Sequence, residues 1–162
     1  MGLPFYENLG SIDLWTTRMA EEAHEKILVS ASPDRCREVS TDFAHYPDWA
    51  RDIKKVSVLD YDNSGRANRV EFRAAGLGRN VRYVLEYDYA DFPQSFSWHL
   101  VEGDGLKKLD GRYGFEAQEV GTRVTYDLVV DLSIPLPGLL KRRATSKIMG
   151  TALKELKKEV ER

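Results

Sequence analysis

The sequence predicts an α+β domain in which a curved antiparallel sheet of about seven strands holds one long C-terminal helix. Apolar and polar residues alternate along seven segments, as they do in strands that bury one face. Turn-forming residues separate the last six of these segments, which favours antiparallel hairpins between neighbours. Residues 138–162 instead carry apolar side chains at steps of three and four, the spacing of an amphipathic helix.

The first strand is predicted within residues 24–32, and two short helices follow it. Ser32 has the side chain of a helix N-cap, Pro33 suits the first helical position, and Asp34 favours the positive end of the helix dipole. Tyr46–Trp49 then breaks this helix and opens a second short one, because the residue before a proline disfavours helix. The apolar stripe predicted for the first helix is Cys36, Val39 and Phe43.

Six further strands are predicted from the alternation that follows. Asn63–Gly65 and the glycines at 76, 78, 103, 105 and 121 mark turns between them, and Phe92–Ser95 marks another. The predicted strands occupy residues 53–62, 66–76, 80–92, 95–103, 106–118 and 122–134.

The C-terminal helix should cover the apolar face of this sheet, because no other long element is present to do so. Its predicted inner stripe is Ile148, Met149, Ala152, Leu153, Leu156 and Val160. Its predicted solvent side is Lys141, Arg142, Lys147, Lys154, Lys157 and Lys158.

Composition excludes several classes of protein. With a net charge of −2, 42% apolar residues and 31% charged residues, the chain is typical of a soluble globular domain and not of a general nucleic-acid binder. One cysteine excludes an internal disulfide framework, and no apolar run is long enough to span a bilayer. The sequence predicts no metal site and no cofactor.

Charge is unevenly distributed along the chain. Residues 138–162 contain eight basic and three acidic residues, whereas the rest of the chain is acidic. This basic end is either a solvated helix face or a surface that makes transient contact with an anionic membrane.

Residues 1–20 are predicted to be an N-terminal extension to a single domain at 21–162. They mix aromatic residues with turn formers and lack the basic and apolar regions of a secretory signal, so the chain is predicted to be cytoplasmic. Met19 is an alternative translation start, because regular patterning begins only after it.

Several local motifs resemble those of a known superfamily. They are Ala31-Ser32-Pro33, residues 42–49 with Ile53-Lys54-Lys55-Val56, residues 110–115, and residues 121–126. Together with the order of elements, they resemble the helix-grip superfamily, also called START-like or SRPBCC. Within it, the chain is similar to the bacterial polyketide cyclase/dehydrase and coenzyme-Q-binding-protein group, over about residues 22–160.

The resemblance implies a deep cavity between the sheet and the long helix that holds an apolar or aromatic small molecule. Tyrosine is frequent on the face predicted to look inward, which suits a ligand with rings and a few oxygens. The alternative is that these rings only fill the core. The predicted ligand-binding residues are Tyr46, Trp49, Val70, Phe72, Tyr83, Leu85, Tyr87, Trp98, Tyr113, Phe115, Tyr126 and Met149.

No acid–base or nucleophilic set is recognisable in the sequence. His99 alternates away from the inward face, and His45 is the one histidine near the predicted pocket mouth. Cys36 fits a buried position, and Gly76-Leu77-Gly78 fits a turn and not a dinucleotide motif. Two main functions therefore stay open: a carrier or sensor of a lipid, quinone or polyketide-like molecule, and a polyketide aromatase/cyclase or dehydrase. A third possibility is a protein-interaction module, which only residues 1–20 and the basic helix support.

Overall fold

The computed structural model describes residues 21–76, 79–133 and 137–162. The predicted extension at 1–20, the tip of the turn after Gly76 and the Pro135–Leu136 entry to the last helix lie outside the described residues. The strands are β1 (Glu21–Val29), β2 (Ile53–Tyr61), β3 (Ala67–Gly76), β4 (Arg79–Asp88), β5 (Ser95–Gly103), β6 (Leu106–Ala117) and β7 (Thr122–Leu132). The helices are α1 (Pro33–Thr41), α2 (Tyr46–Trp49) and α3 (Gly138–Val160).

All seven strands form one antiparallel sheet in the order β1-β7-β6-β5-β4-β3-β2. β2 to β7 follow one another as hairpins, and β1 pairs with β7, so the α1–α2 segment connects the two edges of the sheet. Register shifts in β2, β5 and β6 add the local bends that a curved sheet requires. The predicted fold is confirmed: a curved antiparallel sheet holds one long C-terminal helix.

α1 begins as predicted but ends early. The Ser32 hydroxyl accepts a hydrogen bond from the Arg35 amide at 3.1 Å, and Pro33 occupies the first turn. The helix stops at Thr41 because Asp42 leaves helical geometry, with φ −87° and ψ 72°. Phe43 therefore lies in a separate 3₁₀ turn, Phe43–His45, and not on the α1 stripe where it was predicted, although its side chain is buried.

α3 has the predicted limits, but two of its residues, Lys141 and Ile148, face the opposite side from the one predicted. The buried residues repeat at steps of three and four along the whole helix: Lys141, Thr145, Met149, Leu153, Leu156 and Val160. Lys141 was predicted to face solvent, yet it is only 6% exposed because this repeat extends to the first turn. Ile148 was predicted to face the core, yet it is 38% exposed because it lies about 100° around the helix from Met149.

None of the helices within the described ranges combines the length and apolar character needed to span a membrane.

The outer face of the sheet carries ion pairs, as alternation predicts. Arg82 donates to Glu71 and Glu102, at 2.9 Å in each case. Val84 pairs across the sheet with both of these glutamates, and it is buried although it points away from the core. These pairs join neighbouring strands, so they support the register that turns the tyrosines inward.

Gly111 allows the inner face to hold Trp98. The two residues lie opposite each other on β6 and β5. A Cβ atom at position 111 would lie 2.3 Å from the Trp98 ring and 2.9 Å from the Asp127 carbonyl oxygen. The indole therefore occupies the space that a side chain at 111 would fill.

Gly111→Ala should lower the free energy of unfolding by roughly 1–3 kcal/mol, because the new methyl group displaces Trp98 or the β6 backbone. Urea unfolding followed by tryptophan fluorescence measures the change. Gly150→Ala is the matched control: its Cβ meets nothing within 4 Å. It should stabilise α3 by about 1 kcal/mol. Equal effects of the two substitutions would contradict this packing.

Candidate ligand-binding site

The candidate site is the interior between the concave face of the sheet and α3. Most of the residues predicted to line it have buried side chains: Val70, Phe72, Leu85, Tyr87, Trp98, Tyr113, Phe115, Tyr126 and Met149. Tyr83, Tyr46 and Trp49 are half-buried and pack against this group. The structure thus brings the predicted residues together around one interior.

The rings of this interior contact one another continuously across the sheet. Tyr87 lies 4.5 Å from Phe43 and 5.8 Å from Trp98, measured between ring centroids. Trp98 in turn lies 5.4 Å from Tyr113, whose ring meets that of Tyr126 edge-on at 4.6 Å. Such tilted and edge-on pairs are favourable arrangements of aromatic rings, so the wall is a packed aromatic surface.

α3 covers this surface unevenly. Its backbone lies closest to β1, and next to α1 and β7, and within the described part of the chain it makes no comparably close approach to β3 to β6. Met149, which is fully buried, is the helix residue directed into the interior from the middle of α3. The sheet centre and the helix are therefore separated by a layer of long side chains, where a ligand could be enclosed.

Four inward tyrosines, Tyr83, Tyr87, Tyr113 and Tyr126, form what we call the tyrosine cluster. Within the described ranges, none of their hydroxyls has a hydrogen-bond partner. Yet the same part of the chain contains no fully enclosed side-chain oxygen or nitrogen that lacks a partner. A water molecule can therefore reach each of the four hydroxyls.

Tyr46 and Tyr89, at the edge of this interior, are held differently. The Tyr46 hydroxyl donates to the Ser40 carbonyl oxygen, and the Tyr89 hydroxyl donates to the Ala67 carbonyl oxygen at 2.7 Å. These two phenols are fixed by the protein itself. The cluster hydroxyls remain available to water or to a ligand.

Burial raises the pKa of every phenol in the cluster well above its usual value. Mutual repulsion also contributes, since ionised Tyr83 or Tyr126 would disfavour a second phenolate nearby. The phenols are therefore neutral at ordinary pH and present O–H groups that can donate to a ligand oxygen.

Trp49 has two environments. Its ring lies 4.9 Å from that of Tyr46 on one side. On the other side it lines an outer depression of about 210 Å³ together with Arg35, His45 and Glu159. Trp49 therefore lies at the boundary between the interior and the surface.

The histidines make exposed ion pairs outside the interior. His45 Nδ1 lies 2.9 Å from Asp42 Oδ1, and this hydrogen bond and the negative charge raise the pKa of His45. His24 pairs with Asp127 in the same way, at 2.7 Å, and its pKa is also raised. His99 Nε2 lies 3.1 Å from Glu86. None of these pairs faces the tyrosine cluster.

The described residues provide little support for a cysteine nucleophile or for a metal site. Cys36 is completely buried, and burial raises the pKa of its thiol, which makes it a poor nucleophile. Within residues 21–76, 79–133 and 137–162, no group of three or more His, Cys, Asp or Glu side chains is arranged to hold a metal.

Sequence reasoning missed two residues that border the interior. Phe43 was assigned only to a helix stripe, but its ring contacts both Phe72 and Tyr87. Lys141 was assigned to solvent, but it is buried on the inner stripe of α3. The four-residue steps from Lys141 to Thr145 and Met149 were a signal in the sequence that could have placed Lys141 correctly.

Tyr46→Phe should lower the free energy of unfolding by about 1 kcal/mol, because the Ser40 carbonyl oxygen loses its donor. Tyr126→Phe should leave it nearly unchanged, because no protein hydrogen bond is lost. Thermal or urea unfolding of the two ligand-free variants measures the difference. An equal or larger loss in Tyr126→Phe would show that its hydroxyl has a partner in the folded protein.

Comparisons with known proteins place this architecture in a family. The model of the family described as polyketide cyclase / dehydrase and lipid transport matches residues 20–161. No protein of curated function matches the sequence significantly.

Three solved structures illustrate the similarity of fold. A START superfamily protein from Mycobacterium smegmatis is 23% identical with a TM-score of 0.82, over 86% of this chain and 97% of that chain. The Zhui aromatase/cyclase from Streptomyces sp. R1128 is 16% identical with a TM-score of 0.74, over 88% and 94%. A STAR-related lipid transfer protein from Xanthomonas axonopodis is 14% identical with a TM-score of 0.65, over 87% and 86%. Since the family model spans nearly all of the domain, the chain belongs to the polyketide cyclase/dehydrase and lipid-transport family.

Proposed function

We propose that this protein is a carrier or sensor that encloses a hydrophobic or aromatic small molecule between its sheet and α3. The observation that carries the proposal is the tyrosine cluster: four neutral, inward-facing phenols whose accessible hydroxyls have no protein partner among the described residues. A core made only for stability would pair such hydroxyls or replace them with phenylalanine. The family description, which includes lipid transport, supports the same reading.

The chemistry of the wall defines the class of ligand. The aromatic surface favours flat or ring-containing molecules, and the phenol O–H groups favour carbonyl or hydroxyl oxygens on them. A quinone, a polyketide-like molecule or an oxygenated lipid meets both conditions. We place this carrier in the cytoplasm, in keeping with its single buried cysteine.

A second candidate is an aromatase/cyclase or dehydrase that acts on a polyketide in the same interior. It is favoured by the presence of several inward-facing phenols on neighbouring strands of one wall. Neutral phenols would hold a poly-carbonyl chain in a reactive shape by hydrogen bonding to its oxygens. The raised pKa of each phenol makes it a poor general base, which is why the carrier is the preferred function.

The start of α3 suggests where such a carrier docks. Leu139 and Leu140 are 54% and 47% exposed, and Arg142 and Arg143 follow them on the surface. No acidic residue occurs between 138 and 154. Cations at a helix N-terminus oppose the helix dipole, so this arrangement does not serve helix stability. We propose that this surface contacts anionic membranes transiently.

Ubiquinone-1 should quench the fluorescence of Trp98 on binding, because the indole lies in the aromatic wall. The double variant Tyr113→Phe/Tyr126→Phe should bind about tenfold more weakly, since it loses two hydrogen-bond donors to the quinone oxygens. Tyr61→Phe, at an exposed tyrosine on β2, is the control and should bind like the wild type.

Native mass spectrometry of protein from its source then identifies any resident ligand. If neither ubiquinone-1, a hydroxynaphthoquinone nor oleate binds, and no molecule co-purifies, the interior is a core and the proposal fails. Turnover of a poly-β-ketone thioester that is lost in the double variant would favour the enzyme.

Transfer of a fluorescent quinone analogue should be faster to phosphatidylcholine vesicles that contain phosphatidylserine than to phosphatidylcholine alone. Arg142→Gln/Arg143→Gln should remove most of that difference, since each cation near an anionic surface contributes about 1 kcal/mol. Lys26→Gln/Arg123→Gln, with the same change of charge on neighbouring strands, should keep it. Equal rates on both vesicles, unaffected by salt, would exclude the membrane surface.

A further inference from the structure

A second concavity lies outside the interior, between the 3₁₀ turn and the β2–β3 hairpin. It encloses about 310 Å³, enough for a small ring-containing molecule. Its walls include Val58 and Tyr61 of β2, Arg66 and Ala67 of the hairpin, and Tyr89 and Phe92 beyond β4. We call it the hairpin crevice. The ring of Phe43 lines the crevice and also packs against Tyr87, so it separates the crevice from the tyrosine cluster.

Arg66 is the distinctive group in this crevice. Its guanidinium carbon lies 4.6 Å from the centroid of the Phe92 ring and 5.6 Å from that of Tyr89. The aromatic rings thus hold one side of the guanidinium plane by cation–π attraction. Across the described residues, no carboxylate lies within ion-pair distance of it. Its N–H groups are left for water or for an anion.

The carboxylates near Arg66 are already engaged. Asp42, which also lines the crevice, is bound to His45 through both of its oxygens, at 2.9 and 2.8 Å. Asp62 accepts hydrogen bonds from the amides of Ser64 and Arg66, at 2.8 and 2.9 Å. Arg66 is therefore the charged side chain of the crevice that has no ion-pair partner among the described residues.

The backbone holds Arg66 in place without a ligand. The Asp62 amide donates to the Arg66 carbonyl oxygen at 2.8 Å, and Gly65 takes the positive φ of 81° that closes this turn. The Tyr89 hydroxyl donates to the carbonyl oxygen of Ala67, the residue after Arg66, at 2.7 Å. The turn that carries Arg66 and the Tyr89 ring beside its guanidinium are thus positioned before any molecule binds, which lowers the entropic cost of binding.

From this geometry we infer that the hairpin crevice is a second binding site, for a small planar aromatic carboxylate. The carboxylate pairs with the free N–H edge of Arg66, and the aromatic part of the ligand lies against Tyr61 and Val58. Tyr61 is 61% exposed, so it offers ring surface that such a ligand would cover. This inference is independent of the interior site, because no residue of the tyrosine cluster takes part in the crevice.

Titration of the ¹⁵N-labelled protein with 2-naphthoate tests the inference. The amide signals of residues 61–67 and 89–92 should shift in a saturable manner. Neutral 2-naphthamide, which has nearly the same shape, should bind at least about tenfold more weakly, since it cannot form a charge-assisted pair. Binding of the two molecules with equal affinity would overturn the role of Arg66.

Arg66→Gln should weaken 2-naphthoate binding by about tenfold or more. Arg69→Gln is the matched control on the adjoining strand β3, since Arg69 pairs with Glu86 at 3.2 Å and does not line the crevice. Tyr61→Ala should also weaken binding of 2-naphthoate. The ring that this substitution removes is exposed, so the fold does not depend on it. If both Arg66→Gln and Tyr61→Ala bind like the wild type, or if shifts are confined to β6 and β7, the crevice is not the site.

Discussion

The rest of this structure depends on the four inward-facing hydroxyls of the tyrosine cluster, which have no hydrogen-bond partner among the described residues. A fully buried hydroxyl that lacks a hydrogen bond would cost roughly 1–3 kcal/mol, and the tyrosine cluster has four hydroxyls with no protein partner among the described residues. The fold avoids this cost by leaving accessible space beside the cluster. Beside the cluster, long side chains and not direct packing of α3 fill the distance between helix and sheet, whereas α3 packs closely on β1 at the sheet edge. The chain therefore needs a curved sheet, one spanning helix and a wall of long side chains between them.

Ion pairs on the outer face of the sheet stabilise the aromatic wall, as do the ring contacts on its inner face. Arg82 joins Glu71 to Glu102 across three strands, and Arg69 and His99 both reach Glu86. A shift of one residue in β4 would place these charges inside and the tyrosines outside, so the outer pairs and the inner rings specify the same register. Gly111 adds a steric condition, because a side chain there would take the space of the Trp98 ring.

Much of this arrangement could be predicted from the sequence because it depends on local periodicity. Alternation determined which residues of β3 to β7 face inward, and the Ser32-Pro33 start and the limits of α3 followed from capping and helical spacing. Phe43 was misplaced because the backbone angle at Asp42, which ends α1, depends on tertiary context. Lys141 was misplaced because a lysine ordinarily avoids burial. The hairpin crevice could not be predicted, since it joins residues from four separate segments of the chain.

The attachment of α3 to the rest of the protein indicates which part of it can open. Within the described residues, three side-chain hydrogen bonds tie the last turns of α3 to other elements: Glu155 accepts from the Arg51 amide, Lys157 donates to the Leu28 carbonyl oxygen and, just past Val160, Glu161 accepts from the Ser30 amide. The buried stripe is also most apolar there, whereas its first positions are Lys141 and Thr145. Local opening takes place where the least apolar contact is lost. We therefore propose that a ligand leaves past the first turns of α3, beside the exposed Leu139 and Leu140, at the surface proposed to contact the membrane.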